Sequence, residues 1–228
     1  MEKLLYDKFD KAKIADLPRA VFDGKIVVVV SESEAGRAVD YLLSQDIVGI
    51  DTETRPSFRR GTNYTVALLQ VSSREVCFLF RLNHIKMCEP VKRLLEDKKV
   101  LKVGLSLHDD LHMLHKLGDF KAGTFIDIQD CVKCLGIEDL SLQKLYANFF
   151  GLRISKNQQL SNWEADVLND KQKQYAATDA WTCIHLYKEY LRLAASGDYE
   201  LIAPEPADGQ DHATGHHPQN NEHTPKQS

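Results

Sequence analysis

The sequence predicts an α/β domain: a mixed sheet in which an antiparallel hairpin joins parallel strands, with helices on both faces. Three observations predict it. Short runs rich in β-branched residues dominate the first half, strands and helices alternate through the middle, and the last long element has helical character. The chain has 228 residues, 43% of them hydrophobic, enough for one ordinary domain with a core plus a tail.

Taken in order, residues 1–24 are mixed in character, with Pro18 and Gly24 as breakers, and read as an N-terminal segment. Residues 25–30 (Lys-Ile-Val-Val-Val-Val) read as a strand. Residues 33–43 read as a helix capped by Ser31 or Ser33. Residues 47–54 form the next strand, and a basic loop follows over 55–64. Residues 65–72 and 75–81 are two strands across a short polar turn, a hairpin. Then come a helix at 89–97, a strand at 99–104, a helix at 107–117, a strand at 124–128, and helices near 130–135 and 141–150. The final helix runs from 170 to about 195, which bounds the domain at 25–198. Residues 199–228 hold four of the seven prolines and four of the nine histidines, lack periodicity and read as a disordered tail.

No apolar run approaches the ~18 residues of a membrane-spanning helix. Glu2, Lys3, Asp7 and Lys8 stand where a secretion signal needs an apolar stretch. The expected location is cytoplasmic, without membrane association. The net charge of −4 is confined to the tail, so the domain itself is neutral and binds phosphates only through a local patch. Five cysteines, an odd number without a secretion signal, read as reduced thiols. Cys131 and Cys134 form a C-x-x-C with no second ligand pair in view, and read as two small apolar residues on one helix face. His108 and His112 share a face in the same way, without further zinc ligands.

The informative strand is Ile47-Val48-Gly49-Ile50-Asp51-Thr52-Glu53-Thr54. Side chains alternate along a strand, so Asp51 and Glu53 share a face with Gly49, which is expected to leave space open beside them. Two adjacent carboxylates in a half-buried place call for a cation, and an all-oxygen donor set suits magnesium or manganese. Downstream, Tyr175 and Asp179 lie at i, i+4 on the last helix, where Ala176, Ala177 and Ala180 permit close approach to a neighbour. Between them, Asp109 or Asp110 stands in the first turn of a helix, where the dipole favours an acid.

Gly49-Ile50-Asp51-Thr52-Glu53, Val103-Gly104 followed by Asp110, and Tyr175-Ala176-Ala177-Thr178-Asp179 resemble the three motifs of the DEDD exonuclease superfamily. The tyrosine four residues before the last aspartate places the resemblance in its DEDDy branch, similar to the exonuclease domain of Werner-type helicases and to ribonuclease D. Ala67-Leu68-Leu69-Gln70-Val71 is similar to the family's strand after the first motif. Ser141-Leu142-Gln143-Lys144-Leu145 and Ser161-Asn162-Trp163-Glu164 are similar to its linker. One departure is Asp166-Val167-Leu168, where many relatives carry Arg-Pro-Leu. The stretch reads as a free-standing nuclease domain.

The resemblance implies a ribonuclease H-like fold and 3′-5′ removal of nucleoside 5′-monophosphates from DNA or RNA 3′ ends. It implies two divalent cations, Mg²⁺ or Mn²⁺, about 4 Å apart. Asp51 would bridge both, Glu53 and Asp179 complete one shell, and Asp110 hold the second through water, with Asp109 the alternative register. Tyr175 would orient the attacking water. Arg55, Arg59, Arg60 and Lys144 are candidates for backbone-phosphate contacts. Phe58 is a candidate for base stacking, and Trp163 reads as core. The competing reading is a module that binds nucleic acid or a partner on the same fold without turnover.

Overall fold

The computed structural model describes residues 2–58, 61 and 64–203. In chain order the elements are β1 (Lys3–Tyr6), a 3₁₀ turn (Lys11–Ile14), β2 (Lys25–Val29), α1 (Glu32–Leu42), β3 (Ile47–Thr54), β4 (Val66–Ser72) and β5 (Val76–Phe80). They continue with α2 (Leu82–Ile85), α3 (Glu89–Glu96), β6 (Leu101–Gly104), α4 (Leu107–His115), β7 (Phe125–Asp127) and α5 (Ile128–Lys133). The last are α6 (Leu142–Phe150), α7 (Asp170–Ser196) and β8 (Tyr199–Ile202).

Six strands form one mixed sheet in the order β2-β5-β4-β3-β6-β7. The hairpin β4–β5 is antiparallel, β4 pairs antiparallel with β3, and β2, β6 and β7 join through parallel ladders. The alternation in β3 sorts its residues by face. Val48 and Ile50 enter a core with Val39 and Leu42 of α1, Leu94 of α3 and Leu107 of α4. The opposite face meets α7, where Ile184 and Leu186 pack with Val103 of β6 and Leu145 of α6. A third cluster on that side joins Leu68, Leu79, Ala176 and Ala177 to the fully buried Trp163.

Capping residues set the helix starts. Ser31 accepts from the Glu34 amide while Glu34 accepts from Val30 and Ser31, a reciprocal cap that fixes α1 one residue earlier than the spacing predicts. Asn169 and Gln172 do the same for α7, and Gly197 ends it in the left-handed conformation.

The chain termini depart from expectation. Tyr199–Ile202, the first part of the expected tail, is strand β8, paired in parallel with β1 from the N-terminal segment. Asn148 brackets this ribbon, its Oδ1 accepting from the Tyr6 amide at 2.9 Å and its Nδ2 donating to the Tyr6 carbonyl at 2.6 Å. Four-residue strands whose partner lies nearly two hundred residues away leave no local periodicity to read. The rest of the expected tail, 204–228, lies outside the described residues.

Gly49 also differs. The space beside it is not open: a Cβ there would stand 1.8 Å from the Ala180 carbonyl oxygen of α7. The small residues at 176, 177 and 180 and the missing side chain at 49 are two halves of one contact, helix backbone against strand backbone. Gly49→Ala should therefore force α7 off the sheet, with destabilisation at or above the top of the roughly 1–3 kcal/mol typical of overpacking. Urea unfolding measures it, and an unchanged midpoint would refute the contact.

Candidate active site

The contact between β3 and α7 assembles the site. Asp51 and Glu53 project from β3 on the Gly49 face, and Asp179, one residue before Ala180, projects from α7 toward them. One carboxylate oxygen from each of the three lies within 4.8 Å of the others. A register shift between Glu53 and Thr54, where Ala67 of β4 is skipped, ends regular pairing directly beyond the pair of acids. Glu53 and Asp179 are 8% and 6% exposed.

Tyr175 lies one turn before Asp179, its ring 6.0 Å from that of Trp163. The loop bearing Trp163 is held by the buried Arg81, whose guanidinium donates to the Ala165 carbonyl and, at 3.4 Å, to that of Asp166. Of the two candidate registers on α4, Asp110 faces the site: its carboxylate accepts from the Thr52 hydroxyl between the two β3 acids. The Asp109 side chain is 92% exposed and pairs outward with His108. Asp110 stands beside the three-carboxylate group rather than within it. The start of α4 is latched by Asp127, which accepts from the amides of Ser106 at 3.1 Å and Leu107 at 2.8 Å. That latch holds Ser106 at φ 60°, a left-handed conformation costly for a residue with a Cβ.

Asp51, Glu53, Tyr175 and Asp179 line a cleft of about 280 Å³ together with Leu142, Ser155, Lys156 and Gln159. The 3′-5′ exonuclease family model matches residues 26–193. The chain belongs to the 3′-5′ exonuclease family. It is 31% identical to the bifunctional 3′-5′ exonuclease/ATP-dependent helicase WRN of Mus musculus over 186 residues, 76% of this chain and 13% of that protein. It is 32% identical to ribonuclease D of Haemophilus influenzae over 163 residues, 70% of this chain and 40% of that protein. The chain thus spans less than half the length of either relative. The crystal structure of the Aedes aegypti Nibbler EXO domain superposes with a TM-score of 0.70 at 18% identity, over 79% of this chain and 95% of that one. The fold is accordingly ribonuclease H-like.

In this exonuclease-family site the carboxylates resist ionisation. Burial raises Asp51 well above the usual carboxylate range, and Asp110 and Asp179 push it further. Glu53 is pushed up to about 10 by burial and then by Asp51. Asp179 rises to about 7 through burial, opposed by the Tyr175 phenol and the charge of Lys156. Asp110 rises to about 6, again through burial, with its hydrogen bond from Thr52 opposing. The Tyr175 phenol is also shifted upward, by burial and then by Asp179, and stays protonated. Asp179 Oδ1 is buried without a hydrogen-bond partner among the described residues. A buried acceptor left unpaired among converging acid oxygens fits a hard cation with oxygen ligands.

The cations are arranged differently from expectation. Lys144 donates to the buried Asp139 at 2.7 Å, so its charge balances that carboxylate rather than facing the cleft. Arg55 reaches Glu164 at 3.3 Å and stacks on Tyr64 with 4.9 Å to the ring centroid. With the 84%-exposed Phe58 it lines a neighbouring hollow. Arg59 and Arg60 lie outside the described residues. Lys156 was missed by sequence reasoning: among the described residues lining the cleft it is the one cation, and it has no ion-pair partner among them. Nothing local in Ser155-Lys156-Asn157 distinguishes it from a solvated loop lysine. Cys131 and Cys134 are free thiols on α5 and at its end, and among the described residues neither they nor His108 and His112 join a metal-ligating group.

Raised carboxyl pKa values give the metal-free protein a definite pH response. The folded state binds more protons than the unfolded one, so stability falls as pH rises from the ordinary carboxylate range, about 4, toward the raised folded values. Between pH 5 and 9 the melting temperature in EDTA should decline, as Asp110, Asp179 and then Glu53 would ionise. Mn²⁺ should restore more stability at pH 8 than at pH 5, because protons compete for the same oxygens. Glu53→Gln should melt higher than wild type in EDTA at pH 8 and gain less from Mn²⁺. Differential scanning calorimetry reads all three, and a melting temperature that rises with pH in EDTA would contradict the assignment.

Proposed function

We propose that the protein is a metal-dependent 3′-5′ exonuclease that removes nucleoside 5′-monophosphates from the 3′ end of a DNA or RNA strand. The observation supporting this reading is the convergence of Asp51, Glu53 and Asp179 with an unpaired buried oxygen, one helical turn from a protonated tyrosine. A module that only binds would gain nothing from the mutual repulsion of these acids. Two Mg²⁺ or Mn²⁺ ions are the proposed cofactors, held by Asp51, Glu53 and Asp179, with Asp110 contributing from the Thr52 side. When bound they acidify water and offset the negative charge that develops on the phosphate.

The protein's own groups do the rest. Tyr175 holds the attacking water by hydrogen bonding at its hydroxyl. Because the phenol keeps its proton beside Asp179, positioning suits it better than proton removal. Trp163 fixes the ring from behind. Lys156 supplies positive charge to a non-bridging oxygen of the bound phosphodiester, a charge-assisted contact that orients the strand without reading its bases. Arg55, Phe58 and the hollow they line receive the strand beyond its terminal nucleotide. The free cysteines accord with a cytoplasmic location.

The direct test incubates the purified protein with end-labelled DNA and RNA, single- and double-stranded, in Mn²⁺ or in EDTA. A 3′-to-5′ ladder that requires Mn²⁺ is expected, and persistence of cleavage in EDTA would overturn the reading. Asp51→Asn and Asp179→Asn should each lower turnover by at least about 10²–10³-fold, the scale of lost electrostatic stabilisation, while circular dichroism stays unchanged. Tyr175→Phe should cost roughly 10²-fold in kcat with Mn²⁺ affinity nearly intact. Lys156→Met should weaken the binding of a nucleoside 5′-monophosphate and lower kcat/KM about 10-fold, with Lys156→Arg recovering most of it. Equal monophosphate affinity in the Met and wild-type proteins would remove Lys156 from the site.

A further inference from the structure

Gln70 is a fully buried amide with no structural partner among the described residues to account for its place in the fold. It lies on β4 with 0% exposure. It stands directly opposite Asp51 in the antiparallel ladder, and residues so paired project to the same side of the sheet. On its other flank it pairs with Leu79 of β5. Leu68, two residues earlier on the same face, belongs with Leu79, Ala176 and Ala177 to an apolar cluster under α7. Neither Oε1 nor Nε2 of Gln70 has a hydrogen-bond partner among the described residues. A leucine would fill the same volume and leave no polar atom unpaired.

The acid across the ladder explains the amide. The Asp51 carboxylate already accepts at Oδ1 from the Thr52 amide at 2.8 Å. Residues directly opposed in an antiparallel ladder have Cβ atoms about 4.5–5.5 Å apart, which sets the Gln70 amide beside the Asp51 carboxylate on the same face. A carboxylate held at one oxygen by a backbone N–H still rotates about its Cβ–Cγ bond, and a second donor from the adjacent strand stops that rotation.

We propose that Gln70 is a positioning residue, whose Nε2 donates to the Asp51 carboxylate and fixes its orientation while the outward lone pairs serve a divalent cation. The kinetic part of this proposal rests on the exonuclease reading, whereas the cation-binding part does not. Outer-sphere hydrogen bonds to ligating carboxylates govern cation affinity in this way, typically by 10–100-fold.

The test compares wild type with Gln70→Leu, and with Gln70→Met as a second apolar replacement should the first fail to fold. Mn²⁺ affinity is measured by electron paramagnetic resonance on the full chain without nucleic acid. Melting temperature is measured in EDTA, and kcat and KM on an end-labelled strand. The expected result is an Mn²⁺ dissociation constant raised about 10-fold or more, kcat reduced by a similar factor and KM within about 2-fold of wild type. The melting temperature in EDTA is expected to equal or exceed that of wild type. Wild-type Mn²⁺ affinity in the folded variants would overturn the proposal. So would a lowered melting temperature in EDTA with unchanged affinity, since that marks a purely structural glutamine. If wild-type protein binds Mn²⁺ but degrades no strand, the exonuclease reading fails, and Gln70 is judged on cation affinity alone.

Discussion

The close crossing of α7 over β3 is the constraint from which the rest of the structure follows. Gly49 admits the Ala180 carbonyl to a place no side chain could share. The same crossing brings Asp179, the residue before Ala180, to Asp51 and Glu53. Two like charges about 4 Å apart repel by about 4 kcal/mol at an effective dielectric constant of ~20. Three such pairs would match most of the roughly 5–15 kcal/mol by which a domain is stable. The ionised cluster is therefore incompatible with the fold unless protons or cations neutralise it. Burial raises the proton affinity of all three acids, and for Asp51 and Glu53 the neighbouring carboxylates raise it further, so at neutral pH a bound divalent cation would neutralise the cluster in place of protons.

Packing elsewhere serves to keep the crossing rigid. The reciprocal cap at Asn169 fixes where α7 begins, and the loop before it is secured by Arg81 through backbone carbonyls. Trp163 fills the space between that loop and Tyr175. On the far side of β3, Asp127 latches α4, and the left-handed Ser106 shows that the latch prevails over local backbone preference. Strain of this kind persists only where surrounding contacts over-determine the position, and here it sets the turn that aims Asp110 at Thr52.

What the sequence made legible was what depends on near neighbours. Alternation put Asp51 and Glu53 on one face, i, i+4 spacing put Tyr175 beside Asp179, and β-branched runs marked β2 through β5 to within a residue or two. Gly49 and the alanines were each recognised as small, but that one fills the space left by the other is a statement about two segments 130 residues apart. The same kind of separation hides the β1–β8 ribbon. Lys144 is a different case: Asp139 lies only five residues before it, but in the turn ahead of α6, where no helical or strand period pairs the two. Lys156 and Gln70 are the reverse case. Both read as ordinary residues of a loop and a strand, and each becomes notable only when the charges around it are known.

Charge placement then distinguishes this cleft from a surface built to coat nucleic acid. The domain is electrically neutral, and its arginines and lysines near the site are largely committed to carboxylates, Arg55 to Glu164 and Lys144 to Asp139. Committed pairs add little to the long-range field, so a polyanion is drawn weakly along its length. Among the described residues lining the cleft, uncommitted positive charge appears at one point, Lys156. On the proposed function, a strand would be held chiefly where its terminal phosphodiester meets the cation site, with weaker attraction for the interior of a polymer. That distribution suits an enzyme that engages ends and must release a shortened strand after each cut, because every additional phosphate contact would slow the release on which the next cycle depends.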